Sequence, residues 1–202
     1  MLMSNDLIKS VNLEDGNILE IYQMMDPQNP RDKDYDEGNI GIMAAFHTRY
    51  NLTDKDVPFT SADFDGWDEM EMHITKELRA IVSLPLYMYD HSGITIATKP
   101  FSCRWDSGRI GFIYTTAKRL SEVGVNIKND EDFETYKQRI KEYLEAEVKT
   151  FDDYVTGSVY GFEIKDTEGA YVDGCSGFYG DDFKTNGILD NVNSKPINLD
   201  DL

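Results

Sequence analysis

Apolar strand-like runs, polar turns and reactive side chains are packed most densely between Leu84 and Tyr114, LPLYMYDHSGITIATKPFSCRWDSGRIGFIY. Leu84 to Tyr89 and Ile94 to Thr98 predict two strands, because Tyr, Ile and Thr favour a pleated, half-buried surface. Asp90-His91-Ser92-Gly93 between them has turn chemistry, so the pair predicts a hairpin. Pro100 cannot donate to a ladder and ends a strand or sits on an edge. Arg109 to Thr116 predicts a third strand, entered through Asp106-Ser107-Gly108. Asp90/His91 and Trp105/Asp106 then fall in strand-end loops, where a scaffold presents functional groups.

The flanking pattern predicts an α+β fold, a mainly antiparallel sheet built from hairpins and covered by two long amphipathic helices. Asp6 to Met24 reads as an opening hairpin turning at Asp15-Gly16. Asp26 to Gly38 reads as a charged, solvated loop; it lacks the residue order of an EF-hand calcium loop. Asn39 to Tyr50 favours a short helix, weakened by two glycines, and Asn51 to Gly66 an exposed loop. Trp67, Met70, Ile74, Leu78, Ile81 and Val82 form one stripe, predicting the first long helix over 67–82. Ala117 to Val123 predicts a short helix. The second long helix is expected over 129–155, capped by Asn129, with Phe133, Tyr136, Ile140, Tyr143, Leu144, Phe151 and Tyr154 on one face. Gly157 to Tyr179 predicts a closing hairpin. Residues 1–180 are read as a single domain, and Asp181 to Leu202 as a polar tail expected to fray.

Charge changes the functional picture. The formal net charge is −18, with 20 basic and 38 acidic side chains among 202 residues. Residues 1–101 hold 8 basic and 18 acidic side chains, and residues 102–202 hold 12 and 20. The excess is therefore spread along the chain. Direct binding to bare nucleic acid is not expected, because phosphate contacts need Lys and Arg. A basic protein or nucleoprotein partner would be steered towards such a surface. No apolar run approaches a bilayer span, and Met1 to Asn12 has no basic head followed by an apolar run. The expectation is a cytoplasmic protein without membrane contact.

No phosphate-binding loop, nucleophile elbow, zinc-protease or dinucleotide motif occurs, and no cofactor or metal is implied by composition. Cys103 and Cys175 make no metal spacing or disulfide framework; reduced thiols are the economical reading, and a single bridge remains open. What stands out is a constellation: His47, Asp90, His91 and Asp106 as candidate catalytic residues, with Arg49, Cys103 and Trp105 as candidate binding residues. Ser107 and Cys175 lie beside or beyond it. Asp and His on one loop face would hold a divalent metal or supply a base near neutral pH. Cys103 with His91 would make a nucleophile pair if they touch. Asp90 and Asp106 are equally explained as turn formers.

Six segments together resemble a family of largely uncharacterised phage and prophage proteins. They are DPQNPR (Asp26 to Arg31), AFHTRYNL (Ala45 to Leu52), LPLYMYDHSGITI (Leu84 to Ile96), PFSCRWDSGRIGFIY (Pro100 to Tyr114), TGSVYGF (Thr156 to Phe162) and CSGFYG (Cys175 to Gly180). The chain departs from the family's pattern at Lys33-Asp34-Tyr35-Asp36, where a Trp-Asp-Asn run is expected. The resemblance implies an accessory gene of a mobile element, a group that includes anti-defence proteins such as inhibitors of CRISPR nucleases. It brings no catalytic role to His47, Arg49, His91, Trp105, Asp106 or Gly108. Two functions follow as expectations. One is an acidic anti-defence protein, acting in a bacterial host, that blocks the nucleic-acid channel of a defence complex. The other is a small metal-assisted nuclease or hydrolase with a His/Asp site in the 84–114 region.

Overall fold

The computed structural model describes residues 6–32 and 38–202. The Lys33-Asp34-Tyr35-Asp36 departure lies outside the described residues. Eight strands form two four-stranded sheets, and every named strand pair is antiparallel. The antiparallel α+β expectation stands at that level; the single sheet becomes two. The chain groups into two compact units, one holding the described residues up to Asn29 with Asp153–Leu202, the other Pro30–Asp152. One of its two boundaries, between Asp152 and Asp153, falls inside a continuous helix, and the other, between Asn29 and Pro30, in irregular chain.

In the first unit, β1 (Leu7–Asn12), β2 (Ile18–Gln23), β7 (Val159–Lys165) and β8 (Tyr171–Tyr179) lie in the order β1-β2-β7-β8. The expected turn at Asp15-Gly16 is present, with Gly16 at a φ of 90°. Period-two alternation puts Leu19 opposite Ile164 and Ile21 opposite Phe162, so one face of β2 and β7 is apolar. The segment after Asp181 carries Phe183 and Ile188 into this core. Its backbone also joins the first hairpin, Glu14 N to Lys195 O and Ile197 N to Asn12 O, both at 2.9 Å. Those anchors are two apolar residues in a polar run, too sparse to show as a period.

The second unit holds β3 (Ile42–Ala45), β6 (Ser107–Thr116), β4 (Ala80–Asp90) and β5 (Ile94–Ala97) in the order β3-β6-β4-β5. Residues 42–45 are a strand, where the sequence favoured a short helix. Four residues carry too little period to decide, and pairing with β6 decides instead. At Gly111, φ is 153° and an added Cβ would lie 1.9 Å from the Ala44 carbonyl oxygen, so only glycine admits this close approach. Pro85 sits within β4, opposite Phe112 of β6. Its missing donor costs no ladder bond to β5, which pairs only with Tyr87 to Asp90.

The helix expected over 67–82 is much shorter. α1 (Trp67–Met72) runs into one π-type turn at His73–Glu77. The Leu78 amide bonds the His73 carbonyl at 3.0 Å, and Arg79 takes a left-handed φ of 55°. Ala80 and Val82 then pair with Thr116 and Thr115 of β6. The apolar stripe continues across this junction because both elements bury it, which hides the change of period. After β6 comes α2 (Ala117–Glu122). The second long helix forms as α3 (Phe133–Thr156). Asp132 rather than Asn129 caps it, accepting the Thr135 amide at 2.8 Å; its shorter reach to the third helical amide wins. Tyr136, Ile140, Leu144, Val148 and Phe151 are its buried stripe. Two long helices covering one sheet is therefore not the architecture.

The loop before β3 is not wholly solvated, because Arg31 is buried in it. Its guanidinium grips Asp54 twice, at 2.9 and 2.6 Å, Glu147 of α3 at 3.0 Å and the Gly41 carbonyl at 2.8 Å. Asp54 also accepts the Met43 amide at 2.8 Å, and Glu147 accepts the Ile40 amide at 2.5 Å. Burial pushes the Glu147 carboxyl up, against the lowering pull of Arg31. Removing one member of such a network strands the others. Arg31→Met should therefore lower the unfolding free energy by about 3–5 kcal/mol, read from urea unfolding. A loss below about 1 kcal/mol, the value of an exposed pair, would refute the clamp.

A second pair sets a pH dependence. Arg139 donates to Glu131 at 2.8 and 2.6 Å, and that hydrogen bonding holds the Glu131 carboxyl at about 2, below its ordinary 4.5. A depressed carboxylate contributes stability that is present above its unfolded value and lost as pH falls through the folded one. The stability gap between the native chain and Arg139→Gln should be full above about pH 5 and close towards pH 2. A gap that does not change with pH would assign Arg139 a packing role alone.

Candidate functional site

The hairpin β4–β5 turns through Asp90-His91-Ser92-Gly93 as expected, with the His91 amide bonded to the Gly93 carbonyl at 3.0 Å. Ser92 takes a φ of 59°, and Gly93 takes 155° with nothing near its missing side chain. The loop entering β6 is stitched to this turn by the Asp90 amide, which donates to the Asp106 carbonyl at 2.8 Å. His91 Nδ1 lies 3.6 Å from Asp106 Oδ2. The two loops therefore adjoin.

β3 delivers the third part. The Phe46 amide bonds the Ile110 carbonyl at 2.7 Å, and the chain then turns out through His47, Arg49 and Tyr50. Arg49 forms an ion pair with Asp90, and the Tyr50 hydroxyl lies 3.5 Å from the same carboxylate. His47 stacks on the Tyr50 ring at 5.1 Å. A cleft of about 320 Å³ opens here, lined by His47, Arg49, Asp90, Trp105, Asp106 and Arg109 among others. Trp105 is 96% exposed. His91 and Cys103 stand beside this cleft rather than in its wall.

The structure thus gathers all seven candidates at one end of the second unit's sheet. Their chemistry is less reactive than their proximity. The Cys103 thiol faces the Asp106 carboxylate, 3.7 Å away, rather than a base that would activate it as a nucleophile. The Ser107 hydroxyl donates to the Cys103 carbonyl, which makes it a loop staple. Cys103 and Cys175 are both free thiols. Among the described residues, no three His, Cys, Asp or Glu side chains converge to hold a metal ion, so the donor set a metal-assisted reaction needs is not assembled there.

Two contributors escaped the sequence reading. Tyr50 is the platform for both His47 and Arg49, whose guanidinium lies 5.5 Å from its ring centre. Arg109 opens β6, packs over Phe112 at 4.5 Å, and has a buried Nε with no hydrogen-bond partner. A cation at the head of an otherwise apolar strand was the available signal.

Comparison with protein-family models, with characterised proteins and with solved structures finds no match to this chain. Among the described residues, no helix is long and apolar enough to cross a membrane.

The exposure of Trp105 has a direct optical consequence. Trp67, the other tryptophan, is partly buried against the second unit's core. Acrylamide should quench the native fluorescence in two components, and Trp105→Phe should remove the easily quenched one. A single poorly quenched component in the native chain would contradict the open loop.

Proposed function

We propose that the chain is a non-enzymatic, acidic anti-defence protein that occupies a basic, nucleic-acid-handling surface of a host defence complex. The observation that carries it is the disposition of charge. Between residues 63 and 77, Asp63, Asp65, Asp68, Glu69 and Glu77 are exposed and Glu71 is half-buried, against Lys76 alone. Arg31 and Arg139 are meanwhile committed to internal carboxylates. A surface with this balance repels phosphate and attracts proteins built to hold it. Trp105 supports the reading, since exposed tryptophans beside arginines are frequent anchors of protein interfaces. The enzyme alternative is less well supported, because among the described residues no three His, Cys, Asp or Glu side chains converge to hold a metal ion beside His91 and Asp106.

The test is affinity purification of the tagged chain from a bacterial host, followed by titration of inhibition against the captured nuclease at two salt levels. The expected result is a basic nucleic-acid-handling target, one-to-one inhibition, and affinity that falls steeply with salt as exposed charge is screened over about 8 Å. Trp105→Ala should weaken binding by at least about 2 kcal/mol, while a single change such as Asp65→Asn should cost less than about 1 kcal/mol. Inhibition by trace amounts, abolished by His91→Ala, would overturn the proposal in favour of catalysis.

A further inference from the structure

A cavity of about 440 Å³ lies elsewhere in the second unit, where the end of α1's last turn meets β3, β6 and α2. Ile42, Pro58 and Leu78 give it apolar walls, and Arg79, Lys118 and Asp56 stand around it. Its size is that of a small-ligand site. Two details separate it from an ordinary surface dent. Tyr114 is 1% exposed, yet it lines this cavity, and its hydroxyl has no hydrogen-bond partner among the described residues. A buried tyrosine hydroxyl usually finds one. Burial first, and then the Asp56 and Asp54 carboxylates, push this phenol up to about 12, so it stays protonated and can donate.

The second detail is Arg79. It occupies the position after a helical end at a left-handed φ of 55°, a conformation that suits glycine and costs energy to any residue with a Cβ. Its side chain is exposed and makes no ion pair or hydrogen bond among the described residues. Lys118, on the opposite lip, is 87% exposed and only loosely paired, with Glu122 at 3.8 Å. A strained backbone that keeps an arginine where glycine would be easier is accounted for if the side chain has work at the cavity.

We propose that this cavity binds a small amphipathic oxyanion, its apolar body against Ile42, Pro58 and Leu78 and its carboxylate or phosphate held by Arg79, Lys118 and the Tyr114 hydroxyl. The site is separate from the cleft at Trp105 and does not depend on the inhibitor reading. Asp56 also lines the cavity, and its charge bears on the Tyr114 hydroxyl. Inorganic phosphate, with no apolar body, and benzyl alcohol, with no charge, each satisfy only half of the site.

The experiment is isothermal titration, at about 0.15 M salt, of the native chain with benzoate, phenyl phosphate, inorganic phosphate and benzyl alcohol. Benzoate or phenyl phosphate should bind saturably, and the other two at least about tenfold more weakly. Tighter binding of benzoate assigns a carboxylate ligand, and tighter binding of phenyl phosphate a phosphate ligand. Arg79→Gly should weaken the preferred probe about tenfold while the thermal midpoint holds or rises, because glycine relieves the left-handed strain. Tyr114→Phe should weaken it several-fold with the midpoint unchanged, because no protein hydrogen bond is lost. The proposal is overturned if neither aromatic anion binds saturably, if benzyl alcohol or inorganic phosphate binds as tightly as they do, or if Arg79→Gly binds like the native chain. A lowered midpoint in Arg79→Gly would overturn it as well, by making Arg79 a structural residue.

Discussion

The second unit depends on one buried guanidinium. Arg31 faces two carboxylates and one backbone carbonyl, and its flat fork reaches all three at once, as lysine would not. Through Asp54 it fixes the loop after β3, and through Glu147 it fixes α3. Gly41 shows how tight the junction is: an added Cβ would lie 2.6 Å from the Glu147 carboxylate and 2.8 Å from Leu144. Two carboxylates in a low-dielectric place would repel each other without the cation between them. The network is satisfied on every side, which is the condition under which buried charge is tolerated.

That clamp reaches the candidate site through the backbone. Asp54 closes a loop whose other anchors are the Asp54 amide on the Met43 carbonyl at 2.9 Å and the Thr53 hydroxyl on the Ala45 carbonyl at 2.6 Å. An isolated bridge pairs Phe46 with Asn51. His47, Arg49 and Tyr50 are therefore held on a short arch with both feet on β3. The segments DPQNPR and AFHTRYNL, far from each other in chemistry, meet in one construction: Arg31 of the first secures the loop that follows the second. The arch then sets Arg49 against Asp90, and the β4–β5 turn sets His91 against Asp106.

Much of this was legible in the sequence. The hairpin at Asp15-Gly16, the turn at Asp90-His91-Ser92-Gly93 and the stripe of α3 follow from turn chemistry and period, and the loops bearing His91 and Asp106 do adjoin. The illegible parts share a cause. Arg31, Asp54 and Glu147 lie 23 and 93 residues apart along the chain, and each looks like solvated charge until burial brings them together. The end of α1 was misread because Leu78, Ile81 and Val82 serve a buried face in either conformation. β3 was misread because its four residues carry too little period and Ile40, Met43, Ala44 and His47 fit a helical face; Gly41, which only weakened that reading, makes room for Leu144. Cys103 with His91 was a pairing that composition allowed and geometry did not make, since Asp106 lies between their roles.

The chain's charge and its burial pull on different residues. In a protein of −18, the buried Arg31 is matched by carboxylates, and the half-buried Arg139 and Lys165 pair with them too. Those pairs fix structure and leave the outer field negative. Cations kept at the surface face a different constraint, because nearby carboxylates are abundant and an ion pair is easily found. Arg49 takes that course with Asp90. Arg79 does not, although Glu77 is two residues away: helix geometry turns residues two apart to different faces, and the left-handed backbone aims the chain elsewhere. Arg79 stays exposed without an ion pair, as Lys76, Lys99 and Arg104 also do among the described residues, and it lines the same cavity as Tyr114. Arg79 and Tyr114 thus leave charge and hydrogen-bond capacity at one cavity, and the unit's buried atoms without a partner, Ser83 Oγ, Arg109 Nε and Arg119 Nε, do not line it.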